Sequence, residues 1–151
     1  MSNPKPVLIA DDDPNDVFFL RRAFKKAGFD HLIMDVRDGT EVIEYLSGGS
    51  VYEDRGKFPL PALVFLDLKM PKMTGFEVLE WLQSKPEYKN LPVVVFSSSA
   101  LDTDRAKASL LGASEYRVKP NDLDELILMV KEVSATWLKD AGKENSKPVS
   151  L

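Results

Sequence analysis

The stretch that most constrains this chain runs from Leu63 to Pro71. Leu63 to Leu66 are apolar without a break, Asp67 follows, and Pro71 closes the segment. A short, continuous apolar run is the signature of a strand covered on both faces, as in the middle of a parallel sheet. Asp67 then stands at the carboxyl end of that strand, the side on which open α/β sheets bind ligands. Taken alone, an aspartate there serves equally well to start a turn. Its meaning depends on what other strands deliver to the same edge.

Two more runs behave alike: Val7 to Ala10 ends in Asp11, Asp12 and Asp13, and Pro92 to Phe96 ends in Ser97, Ser98 and Ser99. Glu115 to Val118, of mixed polarity, reads as a short further strand ending in Lys119-Pro120. Leu32 to Val36 reads as a further strand, although Asp35 interrupts it. Each run is followed by helical spacing. Asp13 is a natural N-cap with Pro14 at the first helical position, and Val17, Leu20, Phe24 and Ala27 form a stripe that Gly28 ends. Thr40 is expected to cap a second helix carrying Val42, Ile43 and Leu46. Thr74-Gly75 opens a third, Asp102 caps a fourth, and the last runs from about Asp122 to Leu138 on Leu123, Leu126, Ile127, Val130 and Val133. Residues 47–61 are polar and rich in Gly and Pro, too long for an ordinary αβ connection, and read as a surface insertion. Strand and helix alternate five times, which predicts an α/β domain: a five-stranded parallel sheet, doubly wound by helices on both faces.

In that arrangement the carboxyl ends share one edge, which collects Asp11, Asp12, Asp67, Ser97 and Lys119. Each residue alone is ordinary turn chemistry; together they point to a site. Three converging carboxylates repel one another unless a cation joins them. Mg2+ prefers oxygen donors and binds through one or two carboxylates with water and phosphate, so Asp12 and Asp67 are expected as direct ligands and Asp11 through water. A carboxylate is also a competent nucleophile toward phosphorus. Phosphoryl transfer needs charge on the equatorial oxygens neutralised more than it needs an acid or base. The Lys119 ammonium suits one oxygen as a point charge, and the Ser97 hydroxyl another.

Asp11-Asp12, Asp67, Ser97 and Lys119-Pro120, in this order and spacing, resemble a receiver domain of bacterial two-component signalling over about residues 5 to 139. The resemblance implies a flavodoxin-like receiver fold and a signalling module that catalyses only its own phosphorylation and dephosphorylation. Asp67 would accept the phosphoryl group from a histidine kinase or a histidine phosphotransfer protein. Asp11, Asp12, Asp67 and the backbone carbonyl of Lys69 would hold Mg2+, and Ser97 and Tyr116 would form the switch pair. The 47–61 segment, with no output domain in view, further resembles the single-domain regulators that partner bacterial phytochromes. Lys69, Thr74 and Asn121 depart from residues frequent in the family, which bears on rate and partner rather than on required groups. A phosphatase with an Asp nucleophile would need a second Asp where Lys69 stands. A pseudo-receiver would lack part of the acidic and Lys set. A flavodoxin-like cofactor binder would need a phosphate loop where Asp11-Asp12-Asp13 would repel one.

Composition excludes several other classes. The chain has no cysteine, so neither disulfides nor thiolate metal sites arise. The formal net charge of −4 gives no global case for nucleic acid, and no helix-turn-helix fits after Leu138. No apolar run approaches the roughly 20 residues that span a bilayer, and the N-terminal residues lack a signal sequence. A cytoplasmic location is expected, with a polar, disordered tail over residues 140–151. Phe18 and Phe19 are adjacent, so at least one should reach the surface, where it is available to a kinase. Leu128, Met129 and Trp137 exceed what one helical stripe needs and suggest a homodimer face on the last helix.

Overall fold

The computed structural model describes residues 5–138; the tail expected over 140–151 lies outside the described residues. Five strands form one parallel sheet: β1 (Val7–Ala10), β2 (Ile33–Val36), β3 (Leu63–Leu66), β4 (Val93–Ser97) and β5 (Glu115–Val118), in the order β2-β1-β3-β4-β5. The five helices are α1 (Pro14–Lys26), α2 (Gly39–Ser47), α3 (Gly75–Gln83), α4 (Asp102–Leu110) and α5 (Leu123–Trp137). This is the doubly wound fold that the alternating pattern predicts.

The continuous apolar runs have a simple cause. β1, β3 and β4 are the three inner strands, and every residue in them is buried. Alternate side chains enter two separate cores. Val7, Ile9, Leu63, Phe65, Val94 and Phe96 face α1 and α5. Leu8, Ala10, Val64, Leu66, Val93 and Val95 face α2, α3 and α4. Phe65 sits between Phe24 and Phe96, edge-to-face with each at 5.8 Å. Such a ring contributes on the order of 2–3 kcal/mol by burial alone. The edge strands β2 and β5 are only partly buried, which is why Asp35, Glu115 and Arg117 are tolerated in them.

Helix starts follow side-chain capping. Asp13 accepts the Asn15 N–H at 2.9 Å, with Pro14 next. Thr74 and Glu77 make a reciprocal capping box at α3. Two caps differ from the sequence expectation. Asp38, not Thr40, caps α2: its carboxylate accepts the Glu41 N–H at 3.0 Å, and Thr40 lies inside the helix donating its hydroxyl to Asp38. Asp102 is the first helical residue of α4, after a Leu101 cap without a side-chain bond. Gly75 is required by space, because a Cβ there would overlap the Asp67 carbonyl oxygen and lie 2.8 Å from the Leu68 Cα.

The 47–61 segment is a packed flap rather than a bare surface loop. Tyr52 and Phe58 stack around the buried Tyr45 ring, at 5.0 and 6.1 Å. Arg55 donates to the carbonyls of Tyr45 and Leu46 in the last turn of α2 and to that of Phe58, tying the segment to the helix end. Two aromatics and one arginine, scattered in a polar stretch, were the signal for this. On α5, Met129 is buried in the core and Trp137 is half-buried with its indole N–H on Glu115 at 2.7 Å. Of the three residues expected on a homodimer face, Leu128 alone is exposed.

Candidate functional site

The sheet register sets the site. Past the ends of the strands the hydrogen-bond ladder continues for one more step: the Asp11 N–H donates to the Val36 carbonyl at 3.1 Å, the Asp67 N–H to Ala10 at 2.9 Å, and the Lys119 N–H to Ser97 at 2.8 Å. Asp11, Asp67 and Lys119 are thus fixed by backbone before their side chains are considered. Asp11 and Asp67 are buried, and Asp12 is exposed. Carboxylate oxygens of Asp11, Asp12 and Asp67 lie within 4.8 Å of one another.

Lys119 reaches into this group from β5. Its Nζ lies 2.6 Å from Asp16 Oδ2, 2.9 Å from Asp11 Oδ2 and 3.5 Å from Asp67 Oδ2, and 5.7 Å from the centre of the Phe96 ring. Burial alone would lower its pKa; hydrogen bonds to Asp16 and Asp11 outweigh that and raise it, so it stays an ammonium. The carboxylates feel the opposite. Burial pushes Asp11 up to about 6, against the pull of the Asp13 N–H and Lys119. Burial also raises Asp67, with Lys119 opposing. One ammonium therefore leaves the acidic group short of positive charge. The donors are hard oxygens with no sulfur or imidazole among them, the chemistry of a divalent cation such as Mg2+ or Mn2+. These residues fit such an ion.

Of the predicted site residues, the structure brings Asp11, Asp12, Asp67 and Lys119 together. Lys69 follows closely: its backbone N–H lies 3.5 Å from Asp67 Oδ1, while its side chain is exposed. Ser97 closes β4, fully buried, its hydroxyl accepting the Ser99 N–H at 3.1 Å. Tyr116 does not touch the acidic group. Its hydroxyl donates to the Ser99 carbonyl at 2.9 Å, and the Arg105 guanidinium lies 4.9 Å from the centre of its ring. Ser99 itself is committed, donating to Asp104 at 2.6 Å. Asp16 was not predicted. Its contact with Lys119 spans 103 residues of sequence, and the one local hint is an acidic residue in the first turn after Asp13-Pro14. Phe18 and Phe19, on the same helix, are both exposed and lie edge-to-face at 5.2 Å.

An open parallel sheet with a carboxylate trio and a lysine at the switch between β1 and β3 defines a domain of the receiver class. The comparisons agree. The profile of the response regulator receiver domain family matches residues 7–131. The chain is similar to the response regulator Rcp1 of Synechocystis sp., 32% identical over 90% of this chain and 90% of that protein. Among solved structures it resembles the phosphorylated cyanobacterial phytochrome response regulator RcpA, with TM-score 0.81, 32% identity and coverage of 90% and 95%. It also resembles the Mn(2+)-bound form of Rcp1, with TM-score 0.79, 30% identity and coverage of 98% and 99%. This chain belongs to the response regulator receiver domain family, whose members signal through phosphorylation. Among the described residues, no helix is long and apolar enough to cross a membrane.

Proposed function

We propose that the chain receives a phosphoryl group on Asp67 from a histidine kinase or a histidine phosphotransfer protein and relays it as a change of shape. The observation that carries this reading is Lys119 Nζ 3.5 Å from Asp67 Oδ2, at an edge where three carboxylates already converge. An Asp67 oxygen attacks the phosphorus of the donor; the O–P bond forms as the P–N bond to the imidazole breaks, and the imidazole nitrogen keeps the electron pair. Lys119, held protonated by its carboxylate neighbours, places positive charge beside the transferred oxygens. Asp11, Asp12, Asp67 and the Lys69 carbonyl would hold Mg2+, which when bound neutralises further phosphoryl charge. The Ser97 hydroxyl, now accepting from the Ser99 N–H, is proposed to turn to a phosphoryl oxygen, and Tyr116 to respond through the Ser99 loop it already grips.

The receiver unit is taken as residues 5–139, and a kinase donor puts its work in the cytoplasm. The exposed Phe18–Phe19 pair offers a docking surface for that donor beside the site. The likeness to phytochrome-associated regulators supports a photoreceptor kinase as its source. A homodimer through α5 rests on Leu128 and is checked by sedimentation with and without phosphorylation. The central test is incubation with acetyl phosphate and Mg2+, followed by intact-mass analysis. Wild type should gain one phosphoryl group that EDTA prevents. Equal gain by Asp67→Asn would overturn the assignment.

A further inference from the structure

We propose that Asp16 is a positioning residue for Lys119, holding its ammonium beside Asp67 through a carboxylate that stands outside the acidic cluster. This inference rests on the proposed phosphoryl chemistry and assigns a role within it to a residue of α1.

An aspartate in the first turn of a helix has an ordinary use, since its charge favours the positive helix end. That use is satisfied by any orientation near the backbone. Here the side chain instead turns to β5, and its contact with Nζ is the shortest of the three that Lys119 makes with carboxylates. The helix start is fixed by the Asp13 cap and Pro14, so the reach of Asp16 is set by backbone and not by a mobile loop. Its side chain is 34% exposed, against 3% and 9% for those of Asp11 and Asp67. It therefore stands at the mouth of the site while they stand inside it.

An ammonium has three N–H donors and no more. In this structure three carboxylates stand within 3.5 Å of Nζ, and two of them belong to the cluster that suits a divalent cation. Asp16 is the acceptor outside that cluster. It can keep Lys119 whether or not Asp11 and Asp67 are engaged elsewhere. Without its charge, Lys119 has only Asp11 and Asp67 to lean on, and it then competes with a cation for the same oxygens. An amide at position 16 should weaken cation binding and slow phosphoryl gain together, and both losses should run through Lys119.

A double-mutant cycle over Asp16→Asn and Lys119→Ala tests this, with Asp16→Glu as the conservative replacement. Mn2+ affinity is read from the free-ion paramagnetic resonance signal at raised salt, and phosphoryl gain from acetyl phosphate by mass. Asp16→Asn should lower Mn2+ affinity about threefold to tenfold and slow phosphoryl gain by about tenfold, and Asp16→Glu should recover most of both. In the Lys119→Ala background the same Asn change should alter Mn2+ affinity by less than about twofold, because residues acting through one another do not add. An Asp16→Asn loss that persists in full without Lys119 would mean that Asp16 acts through the helix end or the general field, and the proposal falls. No loss in Asp16→Asn overturns it equally. If wild type takes no phosphoryl group yet the Mn2+ cycle shows coupling, the phosphorylation reading fails and the positioning role stands; the converse result separates them the other way.

Discussion

Replacing Asp11 with Asn should make the metal-free protein more stable at neutral pH, although it removes an ion pair. Asp11 is buried beside Asp67, and its pKa rises from 3.8 to about 6, chiefly through burial. A group whose folded-state pKa lies above its unfolded value adds stability that is fully present below about pH 4. That contribution is lost as pH rises through about 6. At about 1.4 kcal/mol for each tenfold in proton affinity, ionised Asp11 costs the folded state up to about 3 kcal/mol at pH 7. An Asn keeps the acceptor for the Asp13 N–H and carries no charge. Its amide faces the Lys119 ammonium unfavourably, so a net gain of about 1–2 kcal/mol is expected. Urea unfolding in EDTA at pH 7.5 should show a higher midpoint with an unchanged slope, and the gain should shrink to under about 1 kcal/mol near pH 4. Added Mg2+ should raise the wild-type midpoint more than that of the variant, because the ion binds the folded state and relieves the same charge. A variant that is no more stable at pH 7.5, or whose gain ignores pH, would refute the view that buried negative charge strains this site.

Gly75→Ala should cost about 1–3 kcal/mol in urea and also impair phosphoryl gain, since the new Cβ meets the backbone of Asp67 and Leu68; a wild-type midpoint would contradict this. Arg55→Ala should cost about 1–3 kcal/mol by removing three hydrogen bonds and leaving the Phe58 carbonyl without a donor, while Tyr45 and Leu46 keep the Gly48 N–H and the Tyr88 hydroxyl, and limited proteolysis should then cut within 47–61 sooner. Lys69→Ala should shorten the lifetime of the aspartyl phosphate by up to about tenfold, near 1.4 kcal/mol of barrier, because a long cation two residues past Asp67 can pair with the phosphoryl group and lie across the path of water. An unchanged or longer lifetime, followed by mass, would mean that the side chain stays in solvent.

What the sequence made legible follows from where information is local. The inner strands could be read because burial on both faces forbids polar residues, leaving runs such as Val93 to Phe96 unbroken. The gathering of Asp11, Asp12, Asp67 and Lys119 could be read because each stands at a strand end, and parallel topology puts those ends on one edge. The α2 cap was misplaced by two residues because Asp38 and Thr40 are both good capping residues and only backbone geometry chooses between them. The breadth of the α5 face was overestimated because Met129 and Trp137 are drawn inward by partners on other elements. The grip of Asp16 on Lys119 escaped for the same reason: an acidic residue in a first helical turn is common, and only the fold brings it to a lysine 103 residues away.

The anchoring of the site by the backbone of the strands separates two inventories of residues. Asp11, Asp67 and Lys119 are pinned by the sheet ladder, so the proposed phosphoryl chemistry depends little on what the outer helix surfaces display. Phe18, Phe19, Leu110 and Leu128 are all exposed and contribute nothing to that ladder. A lineage can therefore exchange one signalling partner for another by rewriting helix exteriors, with no need to rediscover the chemistry. The exception is α1, which carries Asp16 within one turn of Phe18 and Phe19. If Asp16 positions Lys119 and the two phenylalanines dock the donor, as proposed, a change of partner and a change of rate are neighbours along that helix, and selection on one constrains the other.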